Sequence, residues 1–390
     1  MILKSLRYCR DKGDRNEWRI ESNPANGESD QWLSLNQINL VVGRNASGKT
    51  RTLKIIRRIA DLLAGDIKPS DLIYDTSSAY ELLFQDGSDE INYYLDFQKG
   101  KVVEETLKIN GTEKLNRAKG KLFYEGIGKY LSFKTDDDSL ALSRRDSEQQ
   151  PFFESLHIWG KNLTHYEFGG QLGQNVFLKN IDKVKKETQA NLKNEDFVNE
   201  VFIKGKYWFG DDFINVVVND MKETGYPIHG VNVELAKYLP IHFGLNVQET
   251  ELDDVTDQME MSQGMFRALS LLIQLNYSLL AGITGCILID DIGEGLDYER
   301  SKGLIDLIIG KVEGSLVQVI MTTNDQFVMD KIPLEYWSVI QRIRNKSVFY
   351  NYTNAKQTFD DFVFTGLNNF DFFATEFFVR GFEDYVKDVR

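Results

Sequence analysis

Gly43-Arg44-Asn45-Ala46-Ser47-Gly48-Lys49-Thr50 is the stretch that decides the fold of this 390-residue chain. It fits the pattern G-x-x-x-x-G-K-[ST], in which flexible glycines let successive backbone N–H groups curl around phosphate oxygens. Lys49 is expected to neutralise the β- and γ-phosphates, and the hydroxyl of Thr50 is expected to ligate Mg²⁺. The sequence therefore predicts a site for ATP and Mg²⁺ to which all eight residues contribute.

The segments on either side of this loop occur in the order that a phosphate loop requires. Ile38 to Val42 is an apolar strand that runs directly into the loop. Thr50 to Leu63 places its apolar residues at mostly helical spacing, so a helix is predicted after the loop. The positive N-terminal end of that helix would add a favourable field for a phosphate. This order predicts an α/β fold of the P-loop NTPase class.

A second apolar strand carries the acidic residues that such a site needs. Cys286 to Ile289 shows no alternation, which is typical of a buried parallel strand, and Asp290 and Asp291 follow it directly. A phosphate-loop enzyme needs a carboxylate for its Mg²⁺ and a polar group for its attacking water. We assign Asp290 to the metal and Asp291 to the water. Another buried strand is predicted from Leu316 to Met321.

The chain is predicted to have four segments. Residues 1–150 hold the phosphate loop and an antiparallel β meander, which alternation and the turn signals Lys99-Gly100 and Asn110-Gly111 indicate. Residues 151–245 are interpreted as a helical insertion, and residues 246–350 as the second part of the nucleotide-binding domain. Residues 351–390 form an aromatic helical region that packs on its own domain or on a partner. Its aromatic residues at helical spacing are Phe370, Phe373, Phe377, Phe378, Phe382 and Tyr385.

Charge and cysteine content limit the partners and the compartment. The formal net charge is −13, so the averaged surface repels nucleic acid and anionic membranes, and a nucleic-acid contact would need a local patch. Cys9 and Cys286 are the only cysteines, which excludes a disulfide framework and fits a reducing compartment. The N-terminus lacks the pattern of a signal peptide, and no apolar run has the length of a membrane span. We expect a cytoplasmic protein without a membrane contact.

Two further motifs bring a family into view. Met261-Ser262-Gln263-Gly264, directly before a predicted helix, resembles the signature motif of ABC-type ATPases. Asp290-Asp291-Ile292-Gly293-Glu294-Gly295-Leu296-Asp297 resembles their Walker B and D-loop register. With the phosphate loop and the meander, the chain resembles the stand-alone AAA15/AAA21 and OLD-like ATPases, which are relatives of the RecF, Rad50 and SMC heads. The expected architecture is an ABC-ATPase-like head with a meander lobe and a helical insertion.

The resemblance implies that ATP is held between two copies of the chain. Ser262 and Gly264 of one copy would approach the γ-phosphate that the other copy binds, and Asp297 would lie at the same nucleotide. A hydroxyl, a flexible backbone and a helix N-terminus can form such an anion clamp. ATP would then join a homo-oligomer of at least two chains, and hydrolysis would release it. Many such proteins act in bacterial anti-phage or DNA-maintenance systems beside a separate effector, as the ATPase component of the PARIS system does. The resemblance therefore implies a separate effector protein here, and a nuclease is one candidate.

Two residues depart from the family pattern. Asp291 stands where a glutamate is common, and its side chain is one methylene shorter. Asn324 stands where the family often has a histidine that senses the γ-phosphate; asparagine forms hydrogen bonds but cannot take up a proton near neutral pH. Both changes predict slow turnover with binding retained.

Three other functions remain open at this point. A DNA-repair, DNA-end or clamp ATPase of the RecF/Rad50 type would bind nucleic acid directly and in a salt-sensitive way. A scaffold locked by ATP would bind the nucleotide without hydrolysing it, as Asp291 and Asn324 suggest. A transporter subunit is disfavoured by the meander and by Met265, where transporters usually have glutamine.

Overall fold

The computed structural model describes residues 1–23, 32–72, 77–186 and 195–388, with only the backbone given for residues 185–186 and 383–388. The chain divides into two compact units. The first unit comprises Met1–Leu163 with Ile332–Arg390, and the second comprises Thr164–Lys331. Strands and helices are numbered below in chain order along the whole molecule.

The first unit is built on strands from both ends of the chain. Its described strands are β1 (Ile2–Arg10), β2 (Trp18–Ser22), β3 (Leu33–Ser34), β4 (Ile38–Val42), β5 (Ser77–Asp86), β6 (Asp89–Gln98), β7 (Lys101–Ile109), β8 (Thr112–Asn116), β9 (Lys121–Tyr124), β10 (Lys129–Ser132), β17 (Trp337–Ile343) and β18 (Lys346–Asn351). Strands β5 to β10 pair antiparallel in sequence order, so the predicted meander is present. Strand β17 pairs parallel with β4, and β18 pairs parallel with β2.

The helices of the first unit are α1 (Lys49–Ala64), α2 (Glu154–Asn162), α8 (Lys356–Val363), α9 (Asn369–Ala374) and α10 (Phe377–Asp388). Strand β4 is buried along its whole length, as the absence of polar alternation predicts. Helix α1 buries Leu53, Ile56 and Ile59 on one face and is capped after Ala64 by Gly65, which is left-handed with φ 73°. Strand, loop and helix thus follow the predicted order.

The aromatic tail does not form one continuous stripe. Glu376 has φ +56° and separates α9 from α10, and Gly381 is not helical within α10. These two residues shift the helical phase, so residues three and four apart in sequence no longer share a face. Phe382 is 48% exposed, and the side chain of Tyr385 lies outside the described residues. The tail's packed cluster instead consists of Phe359, Phe362, Phe372, Phe377 and Phe378, with Trp337 and Tyr350.

The second unit contains a short parallel sheet and a separate antiparallel one. Its described elements are β11 (Thr164–Glu167), α3 (Ile181–Lys186), α4 (Val198–Glu223), β12 (Ile228–Ala236), β13 (Leu239–Glu249), β14 (Thr256–Asp257), α5 (Gln263–Leu280), β15 (Gly285–Asp290), α6 (Tyr298–Val312), β16 (Val317–Thr323) and α7 (Gln326–Lys331). Strand β15 lies between β11 and β16 and pairs parallel with both. Every residue of β15 and β16 is buried.

The region interpreted as a helical insertion contains a long β hairpin. Strands β12 and β13 pair antiparallel, with Val231 opposite Val247 and Val233 opposite Leu245. The alternation of these apolar residues is the strand signal, whereas the nearby glycines and prolines favour the interpretation as short helices separated by breaks. Helix α4 is itself interrupted at Gly210, which has φ 58°. Among the described residues, no helix combines the length and apolar character that crossing a membrane requires.

Candidate nucleotide-binding site

The phosphate loop connects β4 to α1 within the first unit. Ala46 and Gly48 have left-handed backbone conformations, with φ 63° and 113°, and the N–H of Ser47 donates to the carbonyl of Arg44 at 3.1 Å. The sign of φ therefore alternates along Ala46, Ser47 and Gly48. Such alternation can turn successive N–H groups toward one concave face, which suits an anion. The loop leads directly into the first turn of α1, a helix of 16 residues whose dipole favours the same charge.

Glycine is required at two positions of this loop by its surroundings. A Cβ atom on Gly43 would lie 2.5 Å from the side chain of Ile340 and 2.6 Å from its carbonyl oxygen. On Gly48, a Cβ atom would lie 2.7 Å from Oγ of Ser347. Strands β17 and β18 therefore border the loop closely. A side chain at Gly43 would collide with the backbone of β17, and one at Gly48 would displace the Ser347 hydroxyl and would have to adopt a φ of 113°.

Ser347 also holds the loop directly. Its hydroxyl is fully buried and donates to the carbonyl of Ser47 at 2.8 Å. This satisfies a backbone acceptor that the tight loop would otherwise leave without a partner. The role of Ser347 is not visible in the sequence, because nothing in the local sequence of β18 indicates contact with a loop 300 residues away.

The two chemically important residues of the motif are placed at the start of α1. Lys49 is 7% exposed, and its ammonium group donates to the carbonyl of Gly43 at 2.7 Å, so its charge lies beside the first residue of the loop. Thr50 is half-buried in the first turn. Arg44 extends outward and forms an ion pair with Glu376 of the tail at 2.7 Å. Residues 44–47, β17 and the tail line a cavity of ≈ 390 Å³.

The predicted acidic pair lies at the end of β15 in the second unit. Asp290 is 6% exposed, and Asp291 is left-handed with φ 55°. Asn324, which follows β16, donates from its amide to Oδ1 of Asp291 at 3.2 Å. The hydroxyl of Thr322 contacts both carboxylate residues, donating to Oδ1 of Asp290 at 2.5 Å and accepting from the N–H of Asp291 at 2.9 Å. The structure therefore brings together the three predicted residues, with a threonine that the sequence analysis did not single out.

The surroundings of Asp290 are those expected for a ligand of a cation. The residue is buried, and among the described residues no cationic side chain pairs with its carboxylate. A buried carboxylate without a cationic partner is costly unless a positive charge is supplied. A carboxylate oxygen is the kind of ligand that Mg²⁺ prefers.

The signature residues are found at the start of α5. Ser262 is exposed, and its hydroxyl accepts the N–H of Met265 at 3.2 Å, so it acts as the helix N-cap. A Cβ atom on Gly264 would lie 2.9 Å from the carbonyl oxygen of Gly295, which explains the glycine. The signature turn therefore packs against the loop that follows β15.

Arg267 fixes this arrangement and was also missed by the sequence analysis. Its guanidinium donates to three backbone carbonyls, those of Gly169, Gly170 and Glu294, at 2.8–2.9 Å. It thereby ties α5 to the loops after β11 and β15. Three carbonyl acceptors give no pattern in a sequence, so this role could be seen only in the fold.

Asp297 has a local role at the other end of the same loop. Its carboxylate accepts the N–H of Arg300 at 3.0 Å and caps α6. That backbone hydrogen bond holds the pKa of Asp297 below its usual value. The structure thus accounts for an aspartate at this position by helix capping, and a contact with nucleotide stays a prediction.

The chain is similar to one protein family and to several solved structures. The family model described as "AAA domain, putative AbiEii toxin, Type IV TA system" matches residues 38–330. A crystal structure of the Smc head bound to the C-winged helix domain of ScpA has 13% sequence identity and a TM-score of 0.52, covering 90% of this chain and 97% of that one. The Smc head domain with an extended coiled coil from Pyrococcus furiosus, bound to the C-terminal domain of ScpA, has 12% identity and a TM-score of 0.50, covering 93% and 99%. No curated protein sequence matches this chain.

Proposed function

Because this chain belongs to the AAA-domain family whose model covers residues 38–330, we propose that it binds ATP with Mg²⁺ at residues 43–50 and hydrolyses it slowly. In family and fold, the chain is a P-loop ATPase of the SMC type, as the sequence predicted. The observation that carries the proposal is the phosphate loop itself. Its alternating backbone and the buried Lys49 ammonium provide N–H groups and a positive charge in one small concave space.

Hydrolysis is assigned to the carboxylates after β15. Thr50 and Asp290 would hold Mg²⁺, which neutralises charge on the phosphates. Asp291 would orient the attacking water, with Asn324 as its hydrogen-bonding neighbour. The left-handed conformation of Asp291 supports this role, because such strain is often found where a side chain must be held in a set direction.

We further propose that ATP joins two copies of the chain through Ser262 and Gly264. Ser262 is exposed at the N-terminus of α5, a helix of 18 residues, which supports an approach to a phosphate from outside the chain. In this proposal, ATP favours association and hydrolysis reverses it. Asp297 would lie at the same interface.

The proposed biological role is that of a sensor or regulator of a separate effector in anti-phage defence. The family description names an AbiEii toxin and a type IV toxin–antitoxin system, which supports a defence role. The similar SMC heads are bound to a domain of another protein, which supports a separate partner here. A nuclease is the effector class proposed.

The test compares wild type with Lys49→Ala and Asp291→Ala by size-exclusion chromatography with ATP and Mg²⁺, and by phosphate release. Wild type should associate with ATP and release phosphate, Lys49→Ala should do neither, and Asp291→Ala should associate without releasing phosphate. The same oligomer in all three proteins with and without ATP would refute the association switch. Phosphate release that survives Lys49→Ala would refute the assignment of the site.

One observation favours a second function, a scaffold locked by ATP. The amide of Asn324 donates to Oδ1 of Asp291, so one oxygen of the proposed water-orienting group is already engaged. A scaffold would associate with ATP but show no phosphate release above that of Asp291→Ala. The phosphate-release measurement therefore separates the two functions.

A further inference from the structure

We propose that Thr322 is a positioning residue that sets both carboxylates of the hydrolytic site through one buried hydroxyl. The inference deepens the proposed function and rests on it. It concerns the second unit alone, where Thr322 lies near the end of β16 and Asp290 ends the neighbouring parallel strand β15.

Three successive residues are held by Thr322. Its hydroxyl donates to Oδ1 of Asp290 at 2.5 Å and accepts the N–H of Asp291 at 2.9 Å. Its carbonyl accepts the N–H of Ile292 at 2.9 Å. Thr322 is fully buried, so no water competes for these bonds. The chain after β15 is therefore fixed at three consecutive points by one residue of β16.

The direction of the hydroxyl bond follows from the number of its protons. A hydroxyl has one proton and two lone pairs. The N–H of Asp291 can only donate, so it uses a lone pair, and the single proton is directed to the Asp290 carboxylate. One oxygen of Asp290 is engaged in this way, which leaves Oδ2 as the oxygen to face a cation. Thr322 thus determines which carboxylate oxygen is presented.

The same bond supports the unusual backbone of Asp291. A non-glycine residue at φ 55° is strained and persists only when its surroundings hold it. The hydrogen bond from the N–H of Asp291 to Thr322 is one such restraint. Without the hydroxyl, Asp291 can relax while Asp290 loses its donor, so the metal ligand and the water-orienting group would change together.

The neighbouring Thr323 provides a matched control. It is equally buried, and its hydroxyl donates to the carbonyl of Ile292 at 3.0 Å and accepts the N–H of Asp325 at 3.0 Å. It contacts neither carboxylate. Replacing either threonine by valine keeps the β-branched shape and removes two hydrogen bonds, but only Thr322→Val removes them from Asp290 and Asp291.

The experiment measures phosphate release by the full chain as Mg²⁺ is varied at saturating ATP. A parallel titration measures the affinity for a fluorescent ATP analogue, first in EDTA and then with Mg²⁺. The proteins are wild type, Thr322→Val, Thr322→Ser and Thr323→Val. Thr322→Ala replaces Thr322→Val should the valine variant not fold.

Loss of an outer partner of a metal ligand typically lowers metal affinity or activity by about 10-fold or more. Thr322→Val should therefore lower kcat by about 10-fold and raise the Mg²⁺ concentration for half-maximal rate by a similar factor, with unchanged analogue affinity in EDTA. Thr322→Ser should restore most of both losses, because it restores the hydroxyl. Thr323→Val should keep the wild-type Mg²⁺ requirement even if it lowers stability.

An unchanged Mg²⁺ requirement in Thr322→Val, or an equal shift in Thr323→Val, would overturn the inference. If wild type binds the analogue but releases no phosphate, hydrolysis is refuted separately. The role of Thr322 is then tested by the increase in affinity for the analogue when Mg²⁺ replaces EDTA. Thr322→Val must reduce this increase, and Thr323→Val must leave it unchanged. If wild type binds no nucleotide, the proposed function fails and this inference fails with it.

Discussion

The phosphate loop and the carboxylate pair after β15 are two parts of the proposed site built in different ways. The loop consists of eight consecutive residues, and its backbone N–H groups would supply most of the contacts to phosphate. The carboxylate pair depends on side chains from two strands, since Asp290 and Asp291 are held by Thr322 and Asn324, more than thirty residues along the chain. The first arrangement can be recognised in the sequence, whereas the second exists only when β15 and β16 pair in the observed register.

The largest effect is expected from breaking the side-chain arrangement. Asp291→Asn keeps the shape of the residue but removes the charge that we propose orients or deprotonates the attacking water. General-base catalysis contributes about 100- to 10,000-fold, so phosphate release should fall by about 1,000-fold with little change in ATP affinity. The measurement is single-turnover phosphate release beside a fluorescent-analogue titration. Unchanged release in Asp291→Asn would move the hydrolytic role to another residue.

Removing the charge of the phosphate loop should have the next largest effect. Lys49→Ala deletes an ammonium that also bonds to the carbonyl of Gly43. A hydrogen bond to a charged group contributes about 1.5–3 kcal/mol, so ATP affinity should fall by about 100-fold. Lys54→Ala, at an exposed position of the same helix, is the control and should keep wild-type affinity. Equal losses in both variants would mean that general charge, not the position of Lys49, determines binding.

The sequence predicted features that consecutive residues form better than features that depend on residues distant in the chain. The α/β fold, the strand and helix around the phosphate loop, the meander and the parallel pair β15 and β16 were predicted, because short-range periodicity and turn residues encode them. The SMC-type fold was confirmed by the family match and the similar head structures. The roles of Ser262, Gly264, Asp297 and Asn324 toward a nucleotide stay predictions.

The features that the sequence did not reveal depend mostly on contacts between distant residues or on the backbone conformation of a single residue. Ser347, Arg267 and Thr322 each act through a hydrogen bond to a distant backbone or carboxylate group, and a serine, arginine or threonine in a buried segment carries no sign of that partner. The hairpin of β12 and β13 was missed because glycine and proline outweighed a short alternation. In the tail, the left-handed Glu376 interrupts a helical pattern that looks continuous in the sequence.

A third prediction tests whether the loop is as rigidly enclosed as its geometry indicates. Gly43→Ala places a methyl group within 2.5–2.6 Å of Ile340. Overpacking of this kind costs about 1–3 kcal/mol, so the free energy of unfolding should fall by about 2 kcal/mol. The measurement is urea unfolding, with Gly310→Ala as the control because nothing lies within 4 Å of the added methyl there. A neutral Gly43→Ala would show that β17 can move away from the loop.

The smallest expected effect tests whether the loop acts alone or needs its support from β18. Ser347→Ala removes the hydrogen bond to the carbonyl of Ser47 and leaves that buried acceptor without its donor. Such a loss costs about 1 kcal/mol, and ATP affinity should fall several-fold because the loop is less well ordered before binding. Ser278→Ala is the control, since that buried hydroxyl bonds only to the carbonyl of Gln274 within α5.

If Ser347→Ala weakens ATP binding and Ser278→Ala does not, the phosphate loop also depends on a distant side chain. The phosphate loop and the carboxylate pair would then both depend on residues distant in sequence, and they would differ only in how strongly. The eight-residue motif would describe only that part of the site whose residues are consecutive in the sequence. If neither variant changes affinity, the eight residues suffice, and Ser347 contributes to stability alone.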